Sequence, residues 1–240
     1  MIRFENIAKD FPTAQGVVHA LGRTTGEIAR GDFAVITGRS GAGKSTLLNI
    51  LGGLMKPSEG QVRIDGQDVW SLDERRRATL RAERVGFVFQ KAPVVRSLTA
   101  LENVMLSASF TPDRQAPRQM SRRAEELLER VGLDHKAGCY PGQLSGGEIR
   151  RVAIVSAMMN RPRVLLADEP TGDLDVETED SVMTEFRRLN EQGITIVIVT
   201  HHAALTEHAN RLFRLVDGLL YEDDAPGLGN IPAPREQTQT

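Results

Sequence analysis

Cys139 is the single cysteine in 240 residues. One thiol cannot build a disulfide framework. No metal-ligand spacing surrounds it, so it reads as a small buried or surface residue that is neutral about compartment. An excess of one charge is also missing. Against 30 basic residues stand 32 acidic ones, a net charge of -2. That balance lacks the broad positive field of a nucleic-acid binder, so no nucleic-acid partner is expected. Long hydrophobic runs are absent too, and nothing approaches the roughly 18 apolar residues that span a bilayer. The opening MIRFENIAKDFP has no basic start followed by an apolar core, so no signal peptide is expected. We see no internal repeat. The chain is therefore expected to be soluble, with any membrane role arriving through a partner.

What is present is ordinary globular composition, 40% hydrophobic and 26% charged, in a length that suits one large domain or a core with an insert. Short β-branched runs alternate with longer helical patterns, which predicts strand–helix units and a largely parallel sheet. DFAVITG (32–38), RVGFVF (84–89), RVLLAD (163–168) and ITIVIVT (194–200) are continuous apolar strands, as in a sheet covered on both faces. KSTLLNILGGL (44–54) reads as a helix. Polar alternation at 2–8 and 61–65 predicts an antiparallel edge sheet. Residues 99–160 carry helical periodicity with no convincing strand, and so predict a helical subdomain inserted between sheet strands. The main domain is expected over 1–222. A Pro-, Gly-, Gln- and Thr-rich tail at 223–240 is expected to be flexible.

GRSGAGKST (38–46) fits G-x-x-x-x-G-K-[ST], with a strand before it and a helix after it. This is the phosphate cradle of a P-loop NTPase core. Gly38, Gly41 and Gly43 let the backbone curl so that N–H groups, including those of Arg39, Ser40 and Ala42, turn inward. The helix that follows, over 44–54 and so including Thr46, adds the positive end of its dipole. Lys44 is suited to the β- and γ-phosphates of ATP, and the Ser45 hydroxyl to a Mg²⁺ shell. In VLLADEP (164–170), Asp168 ends a buried strand, where α/β sheets bind ligands. It is suited to hold Mg²⁺ directly or through water. Glu169, one residue further on, is suited to take a proton from an attacking water.

LSGGE (144–148) precedes a helix-like run, shortly upstream of LLADEP. That order, with the cradle before it, resembles the nucleotide-binding subunit of an ATP-binding-cassette transporter over roughly residues 1–222. The resemblance implies an α/β fold: a mostly parallel sheet flanked by helices, an antiparallel edge subdomain and the inserted helical subdomain. It implies an ATP hydrolase that works as a twofold homodimer. In that pair, Leu144, Ser145, Gly146, Gly147 and Glu148 cover the nucleotide held by the other copy. It further implies that Gln90, ending VGFVFQ, touches Mg²⁺ and the attacking water. Phe11 is implied to stack on adenine, Asp175 of GDLD to cross the dimer seam, and His201, rather than His202, to face the γ-phosphate. His19, His135 and His208 read as surface residues. The basic run Arg75–Arg77, with Arg81 and Arg84, reads as a solvated helix face. Integral membrane permease subunits are the implied partners, which puts the chain at the cytoplasmic face of the inner membrane as a peripheral subunit.

FENIAKDFPTAQGVVHAL, SLTALENV, YPGQLSGGE and LLADEPTGDLD are similar to one branch of that family: lipoprotein-releasing, macrolide- and peptide-exporting ATPases and the related cell-division ATPase. The branch implies export or mechanotransmission, with regulation of a cell-envelope or division complex as the alternative. A soluble ATPase of DNA repair or translation would carry a long coiled-coil insert or tandem cassettes. A small-molecule kinase would have no use for LSGGE. Four positions depart from the family pattern. Glu148 and Ile149 replace a common pair of glutamines, Ser156 stands where arginine is usual, and Asp173 adds an acid near the seam.

Overall fold

A computed structural model of the chain describes residues 1–14, 16–110, 116–172 and 174–223. The first half holds β1 (Ile2–Thr13), β2 (Gly16–Ile28), β3 (Phe33–Thr37), α1 (Lys44–Leu51), β4 (Glu59–Ile64), β5 (Gln67–Asp68), α2 (Glu74–Arg84) and β6 (Val85–Val88). Then follow α3 (Ala100–Leu106), α4 (Pro117–Arg130), α5 (Gly146–Met158), β7 (Val164–Asp168), α6 (Val176–Glu191), β8 (Thr195–Thr200), β9 (Arg211–Val216) and β10 (Leu219–Asp223). The expected tail lies, from residue 224 onward, outside the described residues, as does Asp173.

The strands form two sheets. A six-stranded sheet runs β10-β9-β3-β8-β7-β6, parallel throughout except that β10 turns back antiparallel on β9. The apolar strands read from sequence are its centre: β3 and β8 are fully buried but for Thr37, because helices or the second sheet cover both faces. The second sheet, β2-β1-β4-β5, is antiparallel, as polar alternation predicts. The alternating side chains of β3 divide the core. Ala34 and Ile36 face Leu47, Ile50 and Leu51 of α1 and Ile2, Phe4 and Ile64 of the antiparallel sheet. Phe33 and Val35 face Val155, Met183 and Phe186 of the helical side. Each fully buried side chain of this size contributes on the order of 1.5–3 kcal/mol, which fixes the strand ends where chemistry takes place.

Residues 99–160 are helical among the described residues, as expected. The tandem β9–β10 edge was not foreseen. Its strands mix Arg and acidic residues with apolar ones, so no clean period marks them; β10 folds back on β9 across Asp217–Gly218, while β9 meets β3 only across a long separation. The basic run also differs from expectation. Arg75 and Arg76 are solvated, but the Arg77 and Arg81 side chains are only 15% and 21% exposed. The Arg77 guanidinium lies 4.5 Å from the Trp70 ring centroid, and Arg81 donates to the Gly53 carbonyl at 3.0 Å. Long stems thus pack inward while the charged heads find partners.

Candidate active site

The phosphate loop runs from the end of β3 into α1. Gly41 and Gly43 take φ of 82° and 98°, the left-handed region that glycine enters freely. A Cβ on Gly43 would stand 2.3 Å from the Ala20 carbonyl oxygen, so the loop also needs glycine for room. Gly43 caps α1 with no side-chain hydrogen bond, which leaves the first N–H groups of the helix free for an anion. Lys44, almost fully buried, donates to the carbonyls of Gly38 at 2.8 Å and Arg39 at 3.2 Å. Its ammonium is thereby held at the mouth of the loop, 3.8 Å from Glu169 Oε1.

Parallel pairing brings the acids in. Asp168, the last residue of β7, pairs with Val199 of β8. The next residues, Glu169 and Thr200, therefore lie side by side. Glu169 takes φ of 45°, a left-handed conformation that a side-chain-bearing residue keeps only when its surroundings hold it there. They do so fully. Its N–H donates to the Val199 carbonyl at 2.9 Å. Oε2 accepts from the Thr200 hydroxyl at 3.0 Å and the His201 N–H at 3.3 Å, and Oε1 lies 2.8 Å from His201 Nδ1. A buried carboxylate held by the Thr200 hydroxyl, the His201 N–H and the half-exposed His201 imidazole suits proton abstraction from a small nucleophile. His202 turns elsewhere: its Nδ1 lies 3.7 Å from Glu179.

Asp168 differs from Glu169. Its Oδ1 is buried with no hydrogen-bond partner. Burial raises its pKa above the ordinary aspartate value, further raised by the neighbouring Glu169 charge and only partly offset by a hydrogen bond from Ser45 and by Lys44. An orphaned carboxylate oxygen beside a serine hydroxyl fits a hard divalent cation. Among the described residues no cluster of three acidic, His or Cys side chains forms a protein-only metal cage. That combination fits Mg²⁺, which takes one or two protein ligands and completes its shell with phosphates and water.

A cleft of about 1030 Å³ opens along the loop, lined by Gly38 to Ala42, His201, His19 and the β9–β10 turn around Asp217. No residue of 144–148 borders it. Ser145, Gly146 and Gly147 lie at the start of α5, where Ser145 is the N-cap. Gly146 instead borders a separate cleft with Ile149, Gly172 and Leu174. A Cβ on Gly147 would stand 2.6 Å from Thr178 Cγ2.

The model of the family described as ABC transporter matches residues 21–172. The chain belongs to the ABC transporter family. It is 43% identical over 224 residues to the macrolide export ATP-binding/permease protein MacB of Rhodopirellula baltica, covering 93% of this chain and 33% of that one. It is 42% identical to the ABC transporter ATP-binding protein MJ1508 of Methanocaldococcus jannaschii, covering 92% and 98%. The dimeric structure of MJ0796, a bacterial ABC transporter cassette, superposes with a TM-score of 0.88 at 39% identity over 95% of this chain and 100% of that one. The same cassette is also known as a dimer in a post-hydrolysis state bound to ADP and Pi. This ABC cassette spans about a third of the MacB proteins it matches.

As an ABC transporter ATPase the chain binds and hydrolyses ATP. The structure gathers Gly38–Ser45, Asp168, Glu169 and His201 into one cluster. Thr46 lies inside α1, one position past Ser45. The other expected site residues have the following places. Gln90 lies two residues past the end of β6, not at its end, and is exposed. Phe11 is half-buried on β1 with the Lys9 ammonium 5.2 Å from its ring, and the cleft is bordered by His19 instead. Asp175 caps α6 by accepting from the Thr178 N–H at 2.9 Å. Thr200 was missed. Its signal was available: a polar residue closing an apolar strand, one position before the histidine.

Proposed function

We propose that this cassette is the motor subunit of an export or mechanotransmission transporter, in which two copies close head to tail on two ATP molecules and drive a membrane permease. The carrying observation is that the cradle's cleft has no signature residue in its wall, while Ser145 and Gly146 are exposed at the start of α5, where Gly146 borders another cleft. A γ-phosphate needs donors on the side that Lys44 does not reach. A second copy supplies them through Leu144–Glu148 under twofold symmetry. The dimeric form of the MJ0796 cassette supports this arrangement.

In this reading Gly38–Thr46 hold the triphosphate, with Phe11 against adenine and Asp175 at the seam. Ser45, Asp168 and, in the closed state, Gln90 would hold Mg²⁺, which would neutralise charge developing on the phosphates. Glu169 accepts the proton of the attacking water, and His201 keeps its carboxylate in line. Hydrolysis removes the bridge between copies and the pair opens. An apolar groove of about 460 Å³, lined by Leu54, Phe87, Phe89 and Pro93, lies beside Gln90 and α3. It fits a short helix of a permease at the cytoplasmic face of the membrane. The names of the MacB relatives support an export permease as that partner.

The test is ATP-induced association. Glu169→Gln lowers turnover at least about 10²-fold, the scale of a general base, and accumulates as a dimer in sedimentation with ATP and Mg²⁺. Adding Lys44→Ala abolishes that dimer. A Glu169→Gln chain that stays monomeric at saturating ATP overturns the proposal.

A further inference from the structure

The signature segment ends in an acid. Glu148 occupies the third helical position of α5 and forms a reciprocal cap with Ser145. The Ser145 N–H donates to Glu148 Oε2 at 2.8 Å, and the Glu148 N–H donates to the Ser145 hydroxyl oxygen at 3.2 Å. The serine oxygen thus accepts from inside the helix, and its hydroxyl also bonds the Glu148 carboxylate. The cost is a carboxylate one turn from the surface that, in the reading above, meets a triphosphate. A negative charge there offsets the positive end of the helix dipole and repels phosphate.

One cation answers it. Lys136, on the short 3-10 turn Asp134–Lys136 that follows α4, donates to Glu148 Oε1 at 2.5 Å. The two side chains are only 29% and 15% exposed, so water screens the pair weakly. The hydrogen bond from Lys136 is the main influence holding the Glu148 carboxyl below the usual range, followed by that from the Ser145 backbone. The nearby Asp134 and His135 pair with each other at 3.7 Å, so Lys136 is the cation that reaches Glu148.

We propose that Lys136 is a positioning residue for nucleotide-driven closure: by pairing with Glu148 it cancels the acid's charge at the start of α5, so that Ser145 and the two glycines present a surface a partner-bound triphosphate can approach. Lys136 itself touches no nucleotide. The proposal rests on the trans arrangement proposed above.

A double-mutant cycle in the Glu169→Gln background tests it, reading the ATP concentration at half-maximal dimer by sedimentation and ATP binding to the monomer by fluorescence titration. Lys136→Met raises the half-maximal ATP concentration about tenfold or more, as for loss of one charge-assisted contact, and Lys136→Arg restores it. Monomer binding is unmoved, because the cradle is built in cis. With Glu148→Gln also present, Lys136→Met changes the half-maximal concentration less than about twofold. An equal loss in both backgrounds, no loss in either, or a Lys136→Met monomer that no longer binds ATP overturns the proposal. A Glu169→Gln parent that never dimerises with ATP sinks the trans reading itself, a result visible before any Lys136 variant is made.

Discussion

At the residue scale, the site depends on how one carboxylate is held. Glu169 sits in a left-handed backbone conformation among Thr200, His201 and Lys44, and Thr200 fills two roles. Its hydroxyl donates to Glu169 Oε2 and accepts from the His202 N–H, each at 3.0 Å. Thr200→Val keeps the shape and removes both bonds. It leaves the His202 N–H without this partner, at a cost of about 1–3 kcal/mol in denaturant unfolding. It also frees Glu169 to rotate, so that ATP turnover falls about tenfold while nucleotide affinity holds, since Lys44 and the loop are untouched. A KM that rises with kcat unchanged would contradict this role.

Among the elements, α3 shows how a short helix is stabilised by what it holds. It has seven residues, too few to stand alone in water. Thr99 and Glu102 close a capping box at its start. Buried Asn103 then binds the preceding loop. Its Nδ2 donates to the carbonyls of Val95, Leu98 and Thr99 at 2.9–3.1 Å, and its Oδ1 accepts from the Val95 N–H at 2.7 Å. That loop leads back to Gln90, and Arg150 of α5 holds its near end by donating to the Phe89 carbonyl at 2.7 Å. Asn103→Ala removes these side-chain bonds from a part-buried site and lowers stability by about 1–3 kcal/mol. Hydrogen exchange at the Val95 amide speeds up well before global unfolding, and unchanged protection there would show that the loop is held by other contacts. Ser156, where the family pattern has arginine, turns inward and donates to the Val152 carbonyl of its own helix at 2.8 Å.

For the whole molecule, the two sheets must stay in register with each other, and Asp65 joins them. It sits in the β4–β5 turn with φ of 51° and a side chain 7% exposed. Arg30 from before β3 reaches it at 2.9 Å, Arg163 from before β7 at 2.7 Å, and Arg84 at the end of α2 at 3.9 Å. Burial alone pushes this carboxyl up, but the hydrogen bonds and charges of Arg163 and Arg30 outweigh it and set its pKa below the ordinary aspartate value. A depressed folded pKa gives stability that is full above the unfolded value, about 3.9, and is lost as pH falls through the folded one. Asp65→Asn therefore lowers the unfolding free energy read from urea denaturation at pH 7, by about 1–2 kcal/mol given how exposed the arginine heads are. The gap to the unsubstituted chain narrows below about pH 4. A gap that stays constant through that range would remove Asp65 as a charged link.

The chemistry of the site was largely legible without a structure because it is local in sequence. The spacing of three glycines, a lysine and a serine between a strand and a helix sets a phosphate loop by backbone geometry alone, and an apolar strand ending in Asp-Glu delivers two acids to the carboxyl edge of a sheet. Which residues hold the acids of this chain was settled by contacts that packing makes: Thr200 beside Glu169 through parallel register, Lys136 on Glu148 across a turn, Asp65 among three arginines from three separate segments. Periodicity carries no such information, since the energy of each contact depends on a neighbour that only packing brings near. The same limit holds for Phe11, whose chain neighbours suggest an adenine contact while the fold sets the Lys9 ammonium over its ring.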